Sequence, residues 1–377
     1  MRILTLIYEF PPVGGGGGRA AYDICKGLVA RGHQVTVLTA HMQGLPFEEY
    51  VDGIRLVRIS SMRRKMFGAS FVTMLAYDLA GLWAGFRLIR LDRPDIIHTH
   101  FAVPSGALAW MLSILTGVPY ILTAHLGDVP GGVPEKTGKW FRWVGPFIYP
   151  IWKRAKKVIA VSEHTRQLAT QQYAVEIDVI PNGADVKQLA PSKIKVNTPP
   201  RLIFAGRFMP QKNPLAIVQI LSQLKDLNWR CSMLGDGPML ADVKSEIEKA
   251  GLSDRIDLPG WVTPEVVLDQ FSKSDILFMP SLSEGLPVVG VQALATGLAI
   301  VASKIGGFLD LVDNEKNGYL IDVRDIPAFS RALRELISNS ESLLRFREAS
   351  LKKADGFDIE KIVDQYQAIL QGVLNEN

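Results

Sequence analysis

The sequence predicts an α/β protein made of two doubly wound, parallel-sheet domains of similar size that present a cleft between the carboxyl ends of their strands. Three observations predict it. Short β-rich runs bounded by turn residues alternate with stretches long enough for crossover helices, the pattern of a mainly parallel sheet. That alternation restarts after a polar, proline-bearing stretch, KQLAPSKIKVNTPP at 187–200, with no convincing sequence repeat. The 377 residues suffice for two hydrophobic cores.

In the first domain the expected strands are RILTLIY (2–8), QVTVLT (34–39), IRLVRIS (54–60), IIHTH (96–100), YILTAH (120–125), KVIAVS (157–162) and IDVIP (177–181). In the second they are RLIFAG (201–206), RCSMLG (230–235), IDLPG (256–260), ILFMPS (276–281), AIVASK (299–304) and GYLI (318–321). The expected domains are 1–187 and 188–358. A terminal helix from about Ile359 to 377 is free to pack back on either domain and is assigned to the first.

Apolar residues make up 47% and charged residues 21% of the chain, which excludes a disordered chain or a fibre. The two cysteines, Cys25 and Cys231, lie far apart without CxxC or Cys/His spacing, so neither a disulfide framework nor a zinc site is expected. A cytoplasmic location fits, and Met1-Arg2 runs straight into a strand-like ILTLIY rather than a leader. Up to Asp185 there are 20 Lys+Arg against 14 Asp+Glu, and 22 against 24 beyond it, giving +6 and −2. The basic first half suits an anionic partner, or is simply a basic surface.

Two segments bear on membranes. Residues 66–86, MFGASFVTMLAYDLAGLWAGF, approach the length of a membrane span, but Asp78 at the middle and the need for a crossover helix favour a buried or interface-lying helix. The stretch 139–157 mixes Trp140, Phe141, Trp143, Phe147, Tyr149 and Trp152 with lysines and arginines. It suits peripheral contact at the inner face of a membrane, or a half-buried helix with a solvated basic face.

Four motifs carry chemistry. Gly14 to Gly18 follow the first strand and lead into a helix, where close backbone approach and free N–H groups offer a seat to phosphate or sugar hydroxyls; a flexible turn is the plain alternative. A dinucleotide site would want an acidic residue ending the second strand, which instead ends Thr39-Ala40-His41. His98, His100 and His125 end two strands, and with no carboxylate at ligand spacing a metal site is not expected. His125 is the functional choice among them, against a structural role. In GRFMPQKN, Arg207 and Lys212 lie beyond a strand end, placed to bind a diphosphate. In PSLSEGLPVVGVQALATG, Glu284 precedes a turn and Pro287 fits a helix start, a second anion site beside a carboxylate able to accept sugar hydroxyls or merely to cap the helix.

With these residues the sequence resembles a retaining glycosyltransferase of the GT-B fold, family four (glycosyl transferases group 1), whose two domains are Rossmann-like. The likeness runs through PPVGGGGGR, RGHQVTVLT, HTHF, TAHLGD, VSE, PNGAD, GRFMPQKN, LGDGP, PGWV and, most specifically, Ser274 to Ser303. It implies transfer of a sugar from a nucleotide diphosphate donor with retained anomeric configuration, no metal and no cofactor beyond the donor. It places Gly15 and Gly16 near the donor phosphates and acceptor, and His125 beside the donor sugar. Arg207 and Lys212 fall on the diphosphate, Glu284 on the sugar 3- and 4-hydroxyls, Gly285, Leu286 and Pro287 close by, and Trp261-Val262 around the base.

One position departs from the family. The second of its paired glutamates, which accepts the ribose hydroxyls, is Gln292 here. An amide has one acceptor oxygen where a carboxylate has two, a loss of about 1 to 3 kcal/mol in donor binding that leaves the reacting centre intact. The expected function is therefore a metal-independent hexosyltransferase of polysaccharide biosynthesis. It uses a UDP-sugar in preference to a GDP-sugar and a saccharide or lipid-linked saccharide acceptor, with no nucleic acid as partner. A nucleotide-sugar epimerase of the same architecture and a catalytically silent nucleotide-sugar-binding protein are the rivals, and a dinucleotide oxidoreductase stands last.

Overall fold

A computed structural model of the chain describes residues 1–64, 66, 70–133 and 141–376, without the side chains of 141–144, 146 and 147. The chain divides into two compact units, Met1–Gly183 with Ile359–Asn377, and Ala184–Asp358.

The first unit holds strands β1 (Arg2–Leu6), β2 (Gln34–Ala40), β3 (Glu48–Val51), β4 (Ile54–Ile59), β5 (Ile96–His100), β6 (Tyr120–Ala124), β7 (Lys157–Ala160) and β8 (Ile177–Val179). They form one sheet in the order β3-β4-β2-β1-β5-β6-β7-β8. Every neighbouring pair is parallel except β3 and β4. All seven expected runs are strands. The eighth, β3, was not expected: Glu48-Glu49-Tyr50-Val51 is a half-exposed edge strand. It is turned into β4 by Asp52-Gly53, both at positive φ (49° and 77°), the backbone that an Asp-Gly hairpin turn requires. β5 and β6 are buried along their whole length, as strands covered on both faces must be.

One face of this sheet carries the helices Gly16–Ala30 and Ile359–Asn375. Their Ile24, Leu28, Ile362, Val363 and Leu370 join Ile3, Val35 and Ile96 in one core. The opposite face carries Phe71–Asp92 and Ala107–Thr116, packed through Tyr77, Leu88, Ile89, Leu108 and Leu112. The apolar segment at 66–86 is thus in large part a crossover helix on the sheet, with Asp78 half-buried within it. Of the 139–157 stretch, Lys139, Trp140 and the side chains of Phe141, Arg142, Trp143 and Phe147 lie outside the described residues. Among the rest, Trp152 is buried in the core and Tyr149 lies at the surface.

The second unit holds β9 (Arg201–Ala205), β10 (Arg230–Leu234), β11 (Ile256–Gly260), β12 (Ile276–Met279), β13 (Ala299–Ser303) and β14 (Gly318–Ile321). They form a parallel sheet in the order β11-β10-β9-β12-β13-β14. All six expected runs are strands. In each unit the strand order reverses beside the first strand, between β1 and β5 and between β9 and β12. Outside the carboxyl ends at such a reversal, doubly wound sheets bind ligands.

A buried ion pair closes the second unit. Asp275, fully buried before β12, accepts hydrogen bonds from the Arg201 amide, the amide and side chain of Asn197, and the Arg347 guanidinium. Arg347, also buried, donates onward to the carbonyls of Gly297 and Lys195. Burial lowers the pKa of Arg347 while Asp275 opposes the shift. Removing one partner strands a buried charge, so Arg347→Ala is expected to cost about 3 to 5 kcal/mol, read as a lower urea midpoint. An unchanged midpoint would show that the pair adds nothing to the fold.

Candidate active site

In the second unit, two loops leave the carboxyl ends of β9 and β12 and are stapled together. Pro210–Lys212 form one turn of 3-10 helix, and Asn213, at φ 51°, passes the chain into the helix Pro214–Ser222. The Gln211 carbonyl accepts the Leu282 amide at 2.8 Å, its side chain donates to the Ser283 carbonyl at 3.0 Å, and the Asn213 side chain donates to the Pro280 carbonyl at 3.2 Å. Between these bonds, Lys212 Nζ donates to Glu284 Oε1 at 2.6 Å. Glu284 is buried and Lys212 half-buried. The backbone carbonyl of Glu284 also accepts the Gly307 amide.

This arrangement leaves chemistry in hand. An ammonium has three N–H groups and a carboxylate two oxygens, so beyond their mutual bond Lys212 keeps donors and Glu284 keeps an acceptor oxygen. Arg207, half-buried, follows β9 by two residues. Pro287 is the N-cap of Val288–Ala295 and supplies no side-chain cap, so the helix start offers backbone N–H groups alone. Gly285 is half-buried and Leu286 buried in the same loop, and Gln292 is half-buried one turn further into the helix. Trp261, half-exposed, and Val262 follow β11 in the same unit.

In the first unit, the glycine loop and the histidines meet. Gly15 is the N-cap of Gly16–Ala30. Its amide donates to Glu9 Oε2 at 3.3 Å, so a carboxylate of the protein already takes one of the donors assigned to phosphate. Glu9 in turn pairs with the buried Arg63 at 3.4 Å. Gly17 packs so closely that a Cβ there would lie 2.5 Å from Phe101 Cζ and 3.4 Å from His125 Cε1. Phe101 follows β5 at φ 69°, a costly backbone for a bulky residue, and its ring stacks on His125 with centroids 4.2 Å apart. Asp128 ties the loops after β5 and β6 together, accepting the Ala102 amide on one oxygen and the His125 amide on the other, both at 2.8 Å.

Behind His125 lies a file of buried rings. His125 and His100 are 5.8 Å apart between centroids, His100 and His98 4.3 Å, and His98 and Tyr366 5.3 Å. His98 Nε2 meets Thr123 Oγ1 at 2.9 Å, and Thr123 meets the Tyr366 hydroxyl at 3.3 Å. Burial lowers His98 to about 3 and His125 to about 4, and holds His100 well below the ordinary value. All three are neutral at pH 7. Among the described residues, no group of three or more His, Cys, Asp or Glu could hold a metal ion. The residues that the motifs did not single out are Glu9, Phe101 and Tyr366. HTHF contains Phe101, but nothing in it announces a positive φ.

Residues 14–188 match the sequence model of Glycosyltransferase Family 4, and residues 185–353 that of glycosyl transferases group 1. The chain belongs to the group 1 glycosyltransferases of family 4 type. It is 27% identical over 340 residues to the UDP-Gal:alpha-D-GlcNAc-diphosphoundecaprenol alpha-1,3-galactosyltransferase of Escherichia coli, covering 85% of this chain and 84% of that one. It is 25% identical to a glycogen synthase of Mycobacterium tuberculosis, over 96% and 92% of the two chains. Among solved structures, a sucrose-phosphate synthase of Thermosynechococcus elongatus aligns over 100% of both chains with a TM-score of 0.87 at 18% identity. The Anabaena HepE complex with UDP-glucose aligns over 99% and 100% with a TM-score of 0.77 at 17% identity. The fold of this glycosyltransferase is GT-B.

Two outcomes follow from the first unit. Gly17→Ala must displace Phe101 from the His125 ring and is expected to lower turnover at least about tenfold, the scale on which small misplacements act. Turnover equal to the parent's, measured with circular dichroism as the folding control, would separate that stack from catalysis. The unfolded histidines titrate near 6.5, above their folded values, so the unfolded chain binds more protons between about pH 6.5 and 4. Stability is whole above that window and falls as the pH drops through it. His100→Leu removes one contributor and should flatten the fall in urea midpoint; an identical slope would show that His100 titrates alike in both states.

Proposed function

We propose that this glycosyltransferase moves a sugar from a nucleotide diphosphate donor, a UDP-sugar in preference to a GDP-sugar, to a saccharide or lipid-linked saccharide. In this reading the anomeric configuration is retained and no metal takes part. The observation that carries it is the stapled loop pair of the second unit, which fixes Lys212 and Glu284 side by side in front of an uncapped helix start. The Escherichia coli relative, named for a UDP-galactose donor and a diphosphoundecaprenol-linked acceptor, supports the donor base and the acceptor class.

Departure of the nucleotide diphosphate builds negative charge on the β-phosphate oxygen and positive charge on the sugar ring. Arg207, Lys212 and the amides at the start of Val288–Ala295 answer the first, the guanidinium by paired hydrogen bonds and the ammonium as a point charge. Glu284 holds sugar hydroxyls and so fixes the ring. An imidazole lowered to about 4 is a weak base at pH 7, so His125 steadies the electron-poor centre rather than accepting a proton. The departing phosphate oxygen then takes the proton of the acceptor hydroxyl as the new bond forms on the same face.

Calorimetric titration with UDP, GDP and NAD in metal-free buffer tests the reading. Binding of UDP tighter than GDP, with none of NAD, is expected; silence for both nucleotides would sink it. Arg207→Ala should weaken UDP binding about tenfold or more, and unchanged affinity would remove it from the diphosphate. His125→Ala should lower turnover far more than UDP affinity, and equal losses would contradict its role. Gln292→Glu should tighten UDP binding up to about tenfold by restoring a charge-assisted bond to ribose; no gain would mean that the amide already suffices. Product analysis with and without an acceptor separates transfer from epimerisation and from silent binding, a rival that only Gln292 suggests.

A further inference from the structure

The helix Phe71–Asp92 has two unlike faces. One is built into the unit through Tyr77, Leu88 and Ile89. On this face a Cβ on Gly81 or Gly85 would lie 2.6 Å from a methyl of Leu108 or Leu112, so bare glycines are what let the neighbouring helix Ala107–Thr116 sit against it. The other face is apolar and uncovered. Val72, Leu75, Leu79 and Trp83 follow one another at helical spacing in a single ridge, 61%, 48%, 66% and 70% exposed. The ridge runs about 17 Å. On the neighbouring helix, Ile114 and Leu115 are exposed as well.

The ridge ends in cations. Arg87 and Arg90 continue the same face, their guanidinium groups 5.8 Å from the Trp83 ring and 4.9 Å from the Phe86 ring. The two carboxylates of the helix are withdrawn from this face. Asp92 is paired with Arg55 at 2.8 Å. Asp78 has a buried oxygen, and burial pushes its carboxyl up to about 8, so it is uncharged at neutral pH. Exposed aliphatic and aromatic side chains followed by arginines, with no negative charge among them, match a helix lying in a membrane interface, where cations meet lipid phosphates. Because the opposite face is part of the core, such a helix can rest on a bilayer but not cross it. A second copy of the same face would offer no negative charge to Arg87 and Arg90; an anionic bilayer does.

We propose that the ridge Val72-Leu75-Leu79-Trp83 with Arg87 and Arg90 docks the protein on anionic lipid. The inference stands apart from the donor reading and gives a lipid-linked acceptor a surface on which to be met. The test is co-sedimentation of the full chain with phosphatidylcholine vesicles and with vesicles containing phosphatidylglycerol, at low and high salt, alongside UDP titration of every variant. The parent should bind the anionic vesicles and release with salt. Trp83→Glu should lose most of that binding, and Leu75→Ser with Leu79→Ser gives a milder cut should the glutamate disturb folding. Arg87→Gln and Arg90→Gln should each weaken anionic binding about fivefold and leave weak binding to phosphatidylcholine unchanged. UDP affinity should stay at the parent's value throughout; a parent that fails to bind UDP counts against the donor reading and not against docking. Absence of vesicle binding by the parent, or equal binding by the ridge variants, would overturn the proposal. So would a parent dimer in sedimentation velocity that Trp83→Glu turns into a monomer, which would make the ridge a self-association face.

Discussion

Parallel strands cannot be joined by tight turns, and that constraint governs the rest of the molecule. Each strand must be reached through a crossover, and where the order reverses beside the first strand the crossovers part to opposite faces. The carboxyl ends at that point stay uncovered. Both units have such a reversal, and the candidate chemistry of each is concentrated on the loops around it. In the first unit these are the glycine loop after β1, Phe101 after β5 and His125 after β6, one strand further on. In the second they are Lys212 after β9 and Glu284 after β12. The loops are held by hydrogen bonds from their own side chains, so the sheet supplies position and the loops supply rigidity.

Three buried carboxylates show how partners decide a role. Asp275 has both oxygens occupied, by two amides, an amide side chain and a guanidinium, and has nothing left to offer a ligand. Asp128 spends one oxygen on each of two backbone amides and works as a tie between loops. Among the described residues, Glu284 meets a single ammonium through a single oxygen. By that accounting Asp275 and Asp128 serve as ties although both stand in family motifs, whereas Glu284 keeps acceptor capacity for the role proposed for it.

Most of the fold was legible because the parallel strands are short β-rich runs, and thirteen such runs could be marked off by their turns. β3 escaped because Glu48-Glu49-Tyr50-Val51 lies at an edge, where nothing forces an apolar pattern; its Asp-Gly turn was the available cue. Candidate site residues within contiguous motifs, such as Lys212 and Glu284, could be marked off in the same way, and the structure pairs these two. Glu9, whose reach to the Gly15 amide depends on how the loop folds back, was not legible. Nor was Tyr366, brought to His98 by packing of the terminal helix across a long separation in sequence. The apolar segment at 66–86 was ambiguous for a different reason: its composition is apolar all round, and only packing reveals that one face is core and the other is bare.

Charge sets the last constraint. The file of imidazoles in the first unit is neutral, so it can shape and exclude water but contributes no cation. In the second unit, the segments 207–213 and 280–292 contain Arg207, Lys212 and Glu284 as their only charged residues, a net of +1. A glutamate in place of Gln292 would bring that to zero. In the proposed reading the amide would give up a charge-assisted bond to ribose but remove a negative charge from the neighbourhood of a diphosphate, and the two effects oppose each other. Lys212 is already committed in part to Glu284, so in the proposed reading a leaving phosphate would be met by Lys212, Arg207 and the backbone amides at the helix start together. On the proposed reading a site so arranged would depend less on its second acidic position than one in which both carboxylates are present, which would let the substitution and the transferase chemistry stand together.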